Sequence, residues 1–130
     1  MANRTYLIDK DLLPVVDELG SILDMGEKFM VPAYMISLAV GIRENRQRES
    51  SGTKSSRGPR TALKAEHFTL MQAAVRSVVA GADLDPESDE FAEIVSNYAH
   101  GGLEKIGEVI EDSQDPKAAL VVYLGELMNS

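Results

Sequence analysis

The most apolar stretch of the chain is Phe29-Met30-Val31-Pro32-Ala33-Tyr34-Met35-Ile36-Ser37-Leu38-Ala39-Val40-Gly41-Ile42. Pro32 suits the first position of a helix, where no amide hydrogen is needed. From Ala33 to Ile42 apolar residues fall on nearly every side of a helical wheel, which predicts a central, buried helix. The stretch has fourteen residues, and a membrane span needs about 20. It therefore reads as the middle of a packed domain, with no membrane as partner.

On its C-terminal side the character changes. Residues 43–64, RENRQRESSGTKSSRGPRTALK, are broken by Ser, Gly and Pro, and predict a long polar loop, mobile and basic. Beyond it the pattern turns helical again. A helix is expected over Ala65–Ala80, with Phe68, Met71, Val75 and Val78 on one face and Gly81 as its stop. Asp85-Pro86 reads as an N-cap followed by proline. The helix it opens has Phe91, Ile94, Val95, Tyr98, Leu103, Ile106 and Ile110 at helical spacing, straight through Gly101-Gly102. Asp115-Pro116 repeats the cap signature ahead of Leu120, Val121, Leu124 and Leu127. On the N-terminal side, Leu12, Leu13, Val16 and Leu19 form the stripe of a first helix that starts near Asp11 and stops at Gly20. Only Thr5–Ile8 alternates like a short strand. The expected fold is all-α: one domain over residues 1–130, of about five helices, with the polar loop 43–64 inside it.

With 130 residues, 44% hydrophobic and 26% charged, the chain can bury enough surface to fold without a metal or disulfide staple. It has no cysteine, which excludes disulfides, thiolate metal sites and a cysteine nucleophile. Acids interrupt the first twenty residues where a secretory signal would be apolar, so a cytoplasmic location is expected.

Charge is unevenly spread. The loop holds Arg43, Arg46, Arg48, Lys54, Arg57, Arg60 and Lys64 against Glu44 and Glu49, a net of +5; the rest of the chain carries −13. Arginine and lysine in this density can contact phosphate, or dock on an acidic protein, a second copy of this chain included, or stay solvated. These seven residues are the candidate nucleic-acid or partner contacts. Gly101-Gly102 is the second feature. Two glycines inside a helix cost about 2 kcal/mol, so either another helix or subunit approaches closely there or one glycine ends the helix. Tyr98, His100, Gly101 and Gly102 are thus candidate contact residues.

Enzymatic signatures are missing. Asp83, Asp85, Glu87 and Asp89 fail the EF-hand spacing, with Ser88 at position six and Ile94 at position twelve. They read as acids enriched at a helix N-terminus. His67 and His100 lie in no metal-ligand spacing. No nucleophile elbow and no Walker loop occurs. Glu104, Lys105 and Glu108 could be read as a nuclease cluster, but at helical spacing they fit a solvated face. No metal, no cofactor and no catalytic residue is expected.

Tyr98-Ala99-His100-Gly101-Gly102-Leu103 resembles a Tyr-Ala-Asn-Gly-Gly-Leu/Phe segment of small accessory proteins associated with bacterial DNA phosphorothioation (Dnd) systems, with His100 in the Asn position. Asp9-Lys10-Asp11 before an amphipathic helix, and Ile36 to Arg46 as an apolar helix followed by glycine and a basic turn, are similar to the same proteins in order and spacing. The resemblance implies a non-enzymatic accessory or adaptor role in a DNA modification or phage-defence system, with a protein partner. It carries no catalytic residue over. Two other readings stand beside it: a small nucleic-acid-binding protein using loop 43–64, and a metal-dependent nuclease. A homo-oligomer is compatible with each.

Overall fold

The computed structural model describes residues 6–49, 57–59 and 62–129. Five α-helices follow one another: α1 (Leu13–Ile22), α2 (Met30–Glu44), α3 (Ala65–Val78), α4 (Asp89–Glu111) and α5 (Pro116–Met128). A 3-10 turn, Lys10–Leu12, leads into α1. Among the described residues there is no strand, and the fold is all-α. Thr5 lies outside the described residues. Tyr6 has a positive φ of 63°, and the Ile8 amide donates to Arg57 O at 3.0 Å, so the segment meets the chain near Arg57 without forming a sheet.

Helix α3 ends at Val78, two residues before the expected Ala80, and three further helix boundaries differ from those expected. Gly20 does not stop α1, which runs on to Ile22. The Phe29 ring occupies the space a side chain at Gly20 would need, so the glycine serves packing, and the chain reverses at Asp24 and Gly26 instead, both at positive φ. Helix α2 begins at Met30, which leaves Pro32 within the first turn, where its missing amide hydrogen costs nothing. Helix α4 begins one turn after Asp85-Pro86. The Asp85 carboxylate accepts the Glu87 amide, folding the residues into a turn, and Ser88 Oγ caps the helix by accepting the Phe91 amide at 3.1 Å. At α5 the Asp115 cap is as expected, with Oδ1 accepting the Ala118 amide at 3.2 Å.

Helix α4 is continuous through Gly101-Gly102 and is the most buried element. It packs along α2, which is capped at Asn45 in the left-handed conformation. The two helices touch through their backbones. A Cβ added to Gly41 would overlap the Tyr98 carbonyl, one on Gly102 would overlap the Ser37 carbonyl, and one on Gly101 would overlap the Arg46 carbonyl. Around this crossing lie Tyr34, Leu38, Val40, Val95, Ala99, Leu103 and Ile106, all buried. Helices α1, α3 and α5 close the core with Val16, Leu19, Met71, Val75 and Leu120.

The close approach of carbonyl oxygens leaves Gly102 no way to relax around a methyl group. Gly102→Ala is expected to lower stability by at least about 3 kcal/mol, the upper end of overpacking costs. Gly125 also lies inside a helix, but a Cβ there meets nothing within 4 Å. Gly125→Ala should therefore raise stability by about 0.5–1 kcal/mol. Urea denaturation of both variants checks the pair; equal effects would contradict the packing described.

Candidate functional site

The seven basic residues divide into those the fold engages and those outside its described part. Arg43 belongs to α2, and its guanidinium donates to Leu127 O at 2.7 Å. After the cap at Asn45 the chain doubles back along α4, with the Arg48 amide donating to Asn97 O at 2.9 Å. Arg46 reaches Glu104 at 2.7 Å and also pairs with Glu108. Arg48 pairs with Asp11 and lies 3.8 Å from Glu104. Arg57 forms a two-pronged contact with Asp17, at 2.8 and 3.2 Å. Lys64 is exposed at the start of α3, and its amide donates to His67 Nδ1 at 2.9 Å. Lys54 and Arg60 lie outside the described residues. The loop expected to begin at Arg43 is therefore held at its near end by α4 and again at Arg57 by α1.

These contacts set the local electrostatics. Hydrogen bonds donated to Glu108 and Glu104 raise the pKa of the Arg46 guanidinium above its ordinary value, and those donated to Asp17 do the same for Arg57. Arg46 in turn holds the Glu108 carboxyl below the usual carboxylate range. Glu104 and Glu108, which sequence could offer as metal ligands, are engaged by a cation instead. Among the described residues no three His, Asp or Glu side chains come together as a metal site. The acidic run 83–89 supplies turn acceptors: Asp83 Oδ1 takes the Asp85 amide, and Asp85 Oδ1 takes that of Glu87.

Tyr98, His100, Gly101 and Gly102 are brought together, as a helix contact within the chain. His100 is fully buried. Its Nε2 accepts the Asp9 amide hydrogen at 3.1 Å, so that nitrogen carries the lone pair. Nδ1 then holds the proton and donates to Ser96 O at 2.7 Å, one helical turn back. Ser96 Oγ stands 3.1 Å from the same Nδ1, and an Asp9 carboxylate oxygen 3.7 Å from Nε2. Serine, histidine and aspartate thus meet, but not as a hydrolase triad. A triad needs the imidazole lone pair on the hydroxyl and the N–H on the carboxylate. Here the lone pair faces a backbone amide and the N–H a backbone carbonyl. The cluster ties the 3-10 turn at Asp9 to the middle of α4.

A feature of the other side of the molecule escaped the sequence reading. Met35 and Ala39 of α2, Leu70 and Ala74 of α3, and Leu124 and Met128 of α5 line an open groove of about 630 Å³, with Arg43 at its edge. The face of α2 expected to be covered is thus uncovered at Ala39 and only half-buried at Met35 and Ile36. Leu70, Val121, Val122 and Met128 are 52–78% exposed. The one signal in the sequence was α5 itself, which has no polar face: Lys117 and Glu126 are its only charged residues. Tyr123 fixes that helix to the body, donating to Glu44 Oε2 at 2.6 Å, with Lys105 Nζ 5.7 Å from its ring centre.

No family model, no curated protein and no solved structure matches this chain.

The Arg46 network gives a pH-dependent expectation. Because the folded state holds the Glu108 carboxyl below its unfolded value, the pair stabilises above the ordinary carboxylate range and ceases to do so as the pH falls through the folded value. Both side chains are partly exposed, so Arg46→Gln should cost no more than about 1 kcal/mol at neutral pH. The difference in melting temperature between the two proteins should shrink below about pH 4. A constant gap from pH 7 to pH 3 would show that Arg46 acts through packing alone.

Proposed function

We propose that this protein is a non-enzymatic accessory protein, an adaptor of a DNA modification or phage-defence system, and that it works by protein contact through the groove between α2, α3 and α5. The supporting observation is that groove, bordered by a helix with no polar face and by large apolar side chains standing in solvent. Contiguous apolar surface of this kind marks contact sites. The DNA-modification context is supported by the three segments that resemble phosphorothioation accessory proteins, of which Tyr98 to Leu103 forms the helix crossing.

The basic segment supports this reading over phosphate contact. Arg46, Arg48 and Arg57 already meet carboxylates of the same chain, and a phosphate would have to displace them. The surrounding surface is acidic and repels a nucleic-acid backbone within a Debye length of about 8 Å.

Two measurements test the proposal. Fluorescence anisotropy with a short DNA duplex should show no binding tighter than about 100 µM at physiological salt, the weak end of non-specific association. Capture of a protein encoded beside this gene in its host should be lost when Leu70 or Met128 is replaced by Asp. Salt-sensitive DNA binding, with a log–log slope near −3 to −4 for about four phosphate contacts, abolished by Arg57→Glu with Lys64→Glu, would replace the adaptor reading with the nucleic-acid one.

A further inference from the structure

We infer that the occupant of the groove is a second copy of this chain, and that α5 of each copy pairs antiparallel with α5 of the other across a two-fold axis. The inference rests on the reading of this face as a contact surface: in the protein alone a second copy covers it, and an adaptor's partner would displace that copy.

The groove has room for about four large apolar side chains, taking about 150 Å³ as the space one leaves. A docked helix supplies such a set at positions i, i+3, i+4 and i+7. The chain carries three of these four on the rim of the groove itself, with a glycine at i+4. Val121, Leu124, Gly125 and Met128 have that spacing, and Val121 and Met128 are 52% and 78% exposed. Ridge and groove thus belong to one patch, and a self-complementary patch is what a two-fold interface requires.

Size and charge fit the same arrangement. An axis between Leu124 and Gly125 sets the side chain of Leu124 against the bare Gly125 backbone of the other copy, and Val121 against Met128. A Cβ at Gly125 meets nothing within 4 Å among the described residues, which leaves room there for a neighbour. The net charge of −8 makes two copies repel over most approaches; the α5 stripe carries no charge. Helix α5 is about 20 Å long, and the patch is about two helix diameters wide. That is about 400 Å² per copy in projection, or about 800 Å² in all, less than stable interfaces bury and in keeping only with a weak, transient one. The dimer should therefore be reversible, forming at micromolar chain concentrations.

Sedimentation equilibrium from about 1 to 500 µM chain tests this. The expected result is a rise from the monomer mass of 14.2 kDa to twice that value, abolished by Val121→Glu with Met128→Glu while far-UV circular dichroism and melting temperature stay unchanged. Because the chain has no cysteine, Gly125→Cys gives an independent reading. Mild oxidation should produce a disulfide-linked dimer on a denaturing gel, and adding the two Glu substitutions should remove it. A dimer that survives those substitutions lies elsewhere and overturns the inference. A chain that stays monomeric and uncrosslinked throughout also overturns it. In that case retained capture of a partner through Leu70 and Met128 would leave the adaptor reading standing, and no capture would end both.

Discussion

Everything in this molecule is arranged around the place where α2 and α4 touch backbone to backbone. Gly41, Gly101 and Gly102 remove the side chains that would hold the helices a normal distance apart, and three carbonyl oxygens occupy the space. Helix axes usually stay 8–10 Å apart because side chains separate them. Closer approach brings many backbone and side-chain atoms into contact at once, and such contacts are individually weak but add up. This offsets the helix-propensity cost of paired glycines. It also fixes what lies beyond the crossing. Because Gly101 lets the Arg46 carbonyl come down onto α4, the chain leaving α2 is laid against α4 and brings Arg46 and Arg48 within reach of Glu104 and Glu108.

The buried histidine follows from the same geometry. His100 precedes the glycine pair and meets the N-terminal segment at Asp9. Its two nitrogens satisfy one backbone donor at Asp9 and one backbone acceptor at Ser96. A buried imidazole with both nitrogens in hydrogen bonds avoids the penalty an unpaired polar group would bring. Tyr34, packed beside Tyr6 with ring centres 6.5 Å apart, is less well served. Its hydroxyl finds no partner among the described residues, and burial pushes its pKa up.

Much of this architecture is legible in the chain because helical periodicity and caps are local signals. The stripes of α1, α3 and α4, the Asp115-Pro116 start and the unbroken spacing through Gly101-Gly102 all depend on neighbours within a few residues. The errors came where a residue's role depends on something distant. Gly20 resembles a stop signal until Phe29 is placed against it, and Asp85 resembles a cap until its carboxylate is seen closing a turn. The basic loop is the clearest case. Arg48, Arg57 and Arg46 pair with Asp11, Asp17, Glu104 and Glu108 at separations of 37, 40, 58 and 62 residues. Composition registers the +5 and the −13 but not that the two meet in one chain. Arg46, Arg48 and Arg57 meet carboxylates of the chain's own body, a pairing that no local pattern in the sequence announces.

That pairing bears on what surface is left for function. With three arginines turned onto carboxylates, the basic segment offers less charge to an outside ligand than its composition suggests. The groove over α2 works in the opposite sense. A central apolar helix should be covered on all sides, since leaving large aliphatic side chains in water forfeits about 25 cal/mol for each Å² of apolar surface. Here α2 is covered by α4, partly by α1 and α3, and only at its edge by α5. Leu120 is the one fully buried residue of α5, so this helix lies on the core like a lid set off-centre. Tyr123, Leu124 and Leu127 are only partly buried against that core, and Val121, Val122 and Met128 stay largely exposed. Valine at both 121 and 122 and methionine at 128 are the apolar surface of this helix that the fold of a single chain leaves in water.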